Sequence, residues 1–484
     1  ERESFEIFRD EWNAWVDSIP VEQRALPRLR TLHEQISYER VSDLEDQTQE
    51  YPWNVLVAAR PWNDYGIDGE DIEVVQEEFG HEIDQLAAVA QRRFFGNHIL
   101  TELDEDEFDQ DTQWLPNLWI QESVLDQLGL VRGVMNLMVT RAVYLATSGE
   151  QKAAVSLLES ATSLSRYSTE LPTELGWLVE YPVQRLYSEA IIELLEYEPE
   201  LFNDDQLARL QQLLVDDLVI DLERVWQFER QVAHSDWRMS YQSFEPGGTN
   251  DELREMYLEQ IEGVKPFWDL DFIHSSYEML PSTHSQIPLA PLNQQIAEHD
   301  RLFRVFLTCL RSDPAHLRKT ALSEAIEENM SGLNLHRHLP VVIDTLMWEL
   351  QLELVQRRRY QLTNQIAILS IHRHRARHGE WPKSLQLIDP EVKPVPLIDV
   401  YSGQLLQYTL KNGRPHMWAF GADRDDDNGR VPKRDPDSRD PAWDWFSLQD
   451  WDDLDLEEQA TYDGDIVLMD YERTWYPQNG GLEP

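Results

Sequence analysis

Cysteine occurs once, at Cys309. No intramolecular disulfide and no thiolate metal cluster can form. Cys309 sits in the apolar run FLTCL, which suits a buried core residue better than a reactive thiolate, since that needs an electropositive, accessible setting. Lysine is also scarce: 7 of the 42 basic residues, against 90 acidic ones, for a formal net charge of -48. Such a surface repels nucleic acid phosphates and anionic lipid head groups, which argues against either as a partner. It suits a salty or calcium-rich exterior, where cations screen the self-repulsion.

Long apolar runs are missing too. The most apolar stretch, LGLVRGVMNLMV at 128–139, is broken by Arg132 and Asn136, so the sequence predicts no membrane span. The usual catalytic signatures are absent: no GxGxxG, no P-loop and no GxSxG. In GHEIDQ, Gln85 stands where the second histidine of HExxH is needed. The chain starts ERESFEIF, with neither Met nor a signal-type apolar core, and the expectation is that an upstream targeting or anchoring segment precedes it. With the acidic surface, this points to an extracytoplasmic location, in the periplasm or at the cell surface.

What is present is a large apolar and aromatic content, 41% and 10%, with 17 Trp, ample for several cores over 484 residues. Three-to-four spacing dominates residues 1–265 and predicts helices. In DGEDIEVVQEEFGHEIDQLAAVAQRRFF, Asp68 is placed to cap and Arg92 and Arg93 lie towards the end. Residues 141–166 place Leu145, Gly149, Ala154 and Leu158 in a helix, turn, helix unit that resembles one tetratricopeptide repeat. A second helical pair follows without a clean 34-residue period, which implies an irregular array. The expected divisions are an N-terminal helical region (1–140), a repeat-like region (141–265), an extended aromatic and Pro-rich crossing segment (266–298), a helical region ending in a long helix (299–378) and an α+β module (379–484). The fold class is therefore mainly α, with a small α+β module at the end. That long helix, over 341–378, carries Leu352, Val355, Leu362, Ile366 and Leu369 as a near-heptad stripe facing other elements. Beyond Gly379, the runs LLQYTL and HMWAF around a KNG turn predict strands.

Two features offer metal chemistry. His374 and His378 are one helical turn apart, with His372 near, but they occupy a last turn before Gly379 where cationic side chains complement the helix dipole. His336 and His338, two apart, carry a weaker signal. The acidic run GADRDDDNGR alternates Asp423, Asp425 and Asp427 like the first ligands of an EF-hand. Gly429 comes one position late and Arg434 stands where a bidentate Glu belongs, so an EF-hand is rejected.

Four segments in order, AILSIHRHRARHGEWPKSLQ, PLIDVYSGQLLQYTL, MWAFGADRDDD and DGDIVL, resemble the C-terminal domain of the type II secretion major pseudopilin, and the C-terminal module of large planctomycete proteins. The resemblance spans about 366–468, with Trp381 where that family has Tyr and Val400 where it has Pro. It implies Ca²⁺ bound by Asp423, by Asp465 and by a backbone carbonyl near Phe420. Asp425 and Asp427 are added on spacing. The function expected on these grounds is a non-enzymatic structural or assembly subunit of an envelope, secretion-related or filamentous complex, with protein partners or self-association. A metal-dependent hydrolase using the His and Asp clusters is the alternative. A solute-binding module is a third reading, and requires a deep pocket between helices.

Overall fold

The computed structural model describes residues 2–38, 69–99, 116–170, 172–218, 222–243, 289–311, 321–330, 337–345, 348–399, 402–420 and 466–470. Of these, 75% are helical, which settles the mainly-α class, and a small three-stranded sheet lies near the C-terminus. None of the described helices is long and apolar enough to cross a membrane.

Helices α1 (Arg2–Ser18), α2 (Leu26–Tyr38), α3 (Gly69–Ala90), α4 (Pro116–Thr147), α5 (Gln151–Ser165), α6 (Glu174–Tyr197) and α7 (Asp204–Asp217) come first. Val131, Val134, Met135 and Met138 of α4 pack with Leu86, Leu158, Ile191 and Leu210 in the first core. Within the apolar run at 128–139, the residues from Leu130 on are thus core, with Arg132 alone of them exposed. Helix α3 stops at Ala90, before Arg92, whose guanidinium donates to the Arg24 carbonyl at 2.6 Å. The helix, turn, helix unit at 141–166 is present, with Gly149 at φ +90° between α4 and α5. Only glycine takes that turn without strain. Asn203 caps α7 through a reciprocal box with Gln206, both bonds at 3.0 Å.

Helices α8 (Leu222–Ser243), α9 (Leu292–Arg311), α10 (Ala321–Met330) and α11 (Leu339–Thr345) form a second body. Its core joins Trp177 and Trp226 to Phe303, Phe306, Leu322 and Trp348. Helix α9 starts at Leu292, inside the stretch expected to be extended up to 298; the Pro291 carbonyl accepts from Gln294 and Gln295, so proline opens this helix and does not interrupt it. The remainder of the expected crossing segment, to 288, lies outside the described residues.

Among the described elements, helix α12 (Trp348–His378) is the longest after α4. It is shorter than the expected 341–378, because α11 ends at Thr345. The expected stripe is buried, yet it does not face one partner: Leu352 and Val355 enter the second core, Leu362, Ile366 and Leu369 the first, and Tyr360, Ala367, Ile368 and Ile371 a third. Gly379, at φ +73°, ends the helix and donates to the Arg375 carbonyl. The third core closes on an antiparallel sheet in the order β1 (Gln407–Lys411), β2 (Arg414–Ala419), β3 (Ile466–Asp470). Asn412 and Gly413, at φ 48° and 78°, form the two-residue hairpin turn that the KNG signal predicts.

Candidate functional site

The site is built where α8, α9 and α11 of the second body and the start of α12 meet the N-terminus of α6. Thr173 accepts from the Gly176 amide at 3.0 Å, capping α6 and fixing Glu174 in its first turn. The Glu174 amide donates to Glu229 Oε1 of α8 at 2.5 Å. Its side chain in turn accepts from Gln351 of α12, which is 1% exposed. Two glutamates on different helices are thus held together by one backbone amide.

A pocket of about 200 Å³ opens against them. Glu174, Glu229, Asp344 and His299 supply its polar wall, and Trp226, Phe303 and Trp348 its aromatic one. Arg230 also reaches it, but its charge is engaged: it bonds Asp300 at 3.1 Å and lies 5.2 Å from the centre of the Phe303 ring. The acidic wall is under electrostatic stress. Burial, then the neighbouring Glu229 and Asp344 charges, push the Glu174 carboxyl up to about 8. Burial and Asp344 push Glu229 up to about 7. Carboxyls are therefore brought into the neutral range, where they exchange protons readily.

Behind this wall runs a chain of imidazoles. His299 Nε2 lies 2.6 Å from Asp344 Oδ2, and its Nδ1 lies 3.0 Å from His234 Nε2. A carboxylate only accepts, so His299 Nε2 carries the proton and Nδ1 presents a lone pair to His234. His234 Nε2 is also 3.8 Å from Asp300 Oδ1. Burial, reinforced by His299, lowers His234 to about 4. Trp237 and Trp348 hold the His299 ring, at centroid distances of 4.9 and 5.2 Å.

The histidines singled out in the sequence lie elsewhere. The His374 and His378 rings are 4.4 Å apart, and His378 Nε2 lies 3.2 Å from Asp389. Around them Arg373 and Arg377 bond Asp204, and Arg375 pairs with Glu200, so the end of α12 is a cationic last turn tied to α7. His372 is buried, its Nδ1 3.3 Å from the Pro199 carbonyl. His338 lies 3.2 Å from Gln295 Oε1, and His336 is outside the described residues. Cys309 is buried in the second core, and burial raises its thiol pKa, as expected of an inert residue. Phe420, buried, follows the last residue of β2; Asp423, Asp425, Asp427 and Asp465 lie outside the described residues.

Sequence reasoning missed the site itself. Glu174, Glu229, His234, His299 and Asp344 come from four helices and from positions up to 170 apart, so no spacing rule gathers them. One local signal existed: Thr173 followed by Glu174 opens a helix with an acid in its first turn. No protein-family model matches the chain, and neither does any curated protein or any solved structure.

Proposed function

We propose that the helical body is a solute-binding module that takes a small organic cation in the pocket between α6, α8, α9, α11 and α12. The observation that carries this is three carboxylates facing one cavity whose other wall is aromatic. Carboxylates neutralise a cation and aromatic faces attract it. The volume, about 200 Å³, is below the range of about 300–1,000 Å³ usual for drug-sized ligands, so the solute is small. Glu174 and Glu229 hold protons near neutral pH in the free protein, and a bound cation favours their ionised forms. Binding then releases protons, and affinity rises with pH through about 7 to 8.

Calorimetric titration with tetramethylammonium and a primary amine of similar size, beside the uncharged isostere, tests the reading. The cations are expected to bind, more tightly at pH 9 than at pH 6, with Glu229→Gln weakening them by about tenfold, or about 1.4 kcal/mol. Equal binding of the uncharged isostere, or affinity that falls with pH, refutes it.

A second reading belongs to the sheet. We propose that the acidic loop binds Ca²⁺ through Asp423, Asp425, Asp427, Asp465 and the Phe420 carbonyl, in an extracytoplasmic assembly subunit. Its support is the pairing of Ala419 with Ile466, which brings the two ends of the intervening chain together at one end of the β2–β3 pair, beside a long helix that shares its core. A melting curve in calcium and then in chelator decides it. A calcium-dependent rise that Asp423→Asn abolishes is expected; an identical curve in both rejects the loop as a site.

A further inference from the structure

The geometry points to a site for a transition-metal dication at His234, His299 and Asp300, on α8 and α9. Among the described residues this is the one place where three such side chains offer ligand atoms all within 4.8 Å of one another. His234 Nε2 is 3.0 Å from His299 Nδ1 and 3.8 Å from Asp300 Oδ1. Around a tetrahedral ion with bonds of about 2.0–2.1 Å, ligand atoms lie about 3.4 Å apart, between those two distances. The third pair, His299 and Asp300, lies within 4.8 Å, so its ligand atoms must draw together by at most about 1.4 Å to close the shell.

Three further observations favour a metal over a simple hydrogen bond between rings. The His234 and His299 side chains are 9% and 0% exposed, so two polar rings have been committed to an aromatic core. His299 is oriented through its far nitrogen by Asp344, the carboxylate–histidine arrangement that fixes tautomer and direction for metal ligation. Asp300 is itself held by Arg230, as ligating carboxylates commonly are held by a hydrogen-bond donor. Two imidazoles and one carboxylate suit zinc and its neighbours and not the hard calcium ion, and three protein ligands leave one position for water. Because His299 and Asp344 also line the pocket, the ion would sit directly behind its wall. The inference stands on the side chains named and does not depend on what the pocket binds.

The test uses the full chain, stripped with chelator and titrated with Zn²⁺ in about 0.5 M salt, which shortens the reach of the surrounding acidic charge. One equivalent of Zn²⁺ is expected, and Co²⁺ in its place should give the visible ligand-field bands of a tetrahedral site. His234→Gln should weaken Zn²⁺ by about 100-fold or more, and Asp344→Ala by about 10- to 100-fold through loss of ring orientation. Should His234→Gln fail to fold, Asp300→Ala, at a side chain 32% exposed, decides the matter with an expected loss of about tenfold or more. No stoichiometric binding overturns the site. So does binding that survives His234→Gln or Asp300→Ala, or that is lost instead in a His374→Gln, His378→Gln double variant.

Discussion

Arg358 of α12 and Glu180 of α6 form an ion pair 3.1 Å long, with side chains 4% and 1% exposed. Among the described residues the pair is incompletely satisfied, since Glu180 Oε2 and Arg358 Nε find no hydrogen-bond partner there. Burial raises the Glu180 carboxyl while Arg358 opposes that shift. Removing one partner leaves a buried charge exposed to the full desolvation penalty. Arg358→Ala is expected to cost about 3–5 kcal/mol in denaturant unfolding, whereas Arg358→Met with Glu180→Leu should recover most of it. A single variant that unfolds at the wild-type midpoint would show the pair to be energetically idle.

The pocket acids make stability pH-dependent in a set direction. A glutamate free of the fold titrates near 4.5, while Glu174 and Glu229 do so at about 8 and 7 in the folded chain. Between those limits the folded state binds more protons than the unfolded one. Their contribution is fully present below 4.5 and is lost as pH rises towards 8. Glu174→Gln and Glu229→Gln should therefore melt at least about 2 °C above the parent at pH 8.5, with the difference gone near pH 4. Thermal melts at the two pH values check this; a gain that is equal at both pH values contradicts it.

Gly176 is the position where α6 cannot carry a side chain. A Cβ there would come within 2.1 Å of the Ser168 carbonyl oxygen. Gly176→Ala must push back the turn that presents Thr173, Glu174 and Leu175 to the pocket, and is expected to cost about 1–3 kcal/mol. Thr173→Ala, which loses only the cap, should cost about 1 kcal/mol. Chemical unfolding ranks the two, and the reverse order would argue against steric contact at Gly176.

At the hairpin, Gly413→Ala forces a side chain onto a residue at φ +78° with open space around it. The loss is conformational, about 1 kcal/mol, and should match that of Gly149→Ala in the α4–α5 turn, which has the same character. Unfolding midpoints compare them directly.

These turns were legible because their causes are local. Glycine at a positive φ, an Asn-Gly pair between alternating residues and apolar three-to-four spacing each report on a few neighbouring positions. Leu352, Val355, Leu362, Ile366 and Leu369 are buried, as their spacing alone implies. Their distribution over three cores was not readable, because periodicity says that a face is covered and not by what. The site was hidden more completely. His234 and His299 are 65 residues apart and touch only once α8 packs on α9, while the clustered His374 and His378, so visible in sequence, end in a surface network of ion pairs. In a chain this acidic, Glu174 and Glu229 were two among 90 carboxylates, distinguished only by burial.

Helix α12 supplies side chains to all three cores, and this orders events in time as well as in space. Trp177 meets Trp226 edge to face, Trp226 meets Phe306 the same way, and Trp348 packs on the Phe306 ring, yet 122 residues separate Trp226 from Trp348. At about 5–20 residues per second, the ribosome makes the missing ring roughly 6–24 s after Trp226. Throughout that interval the nascent chain carries an unfinished aromatic face. Among the described residues, the last α-helix to be made is the one that shuts it.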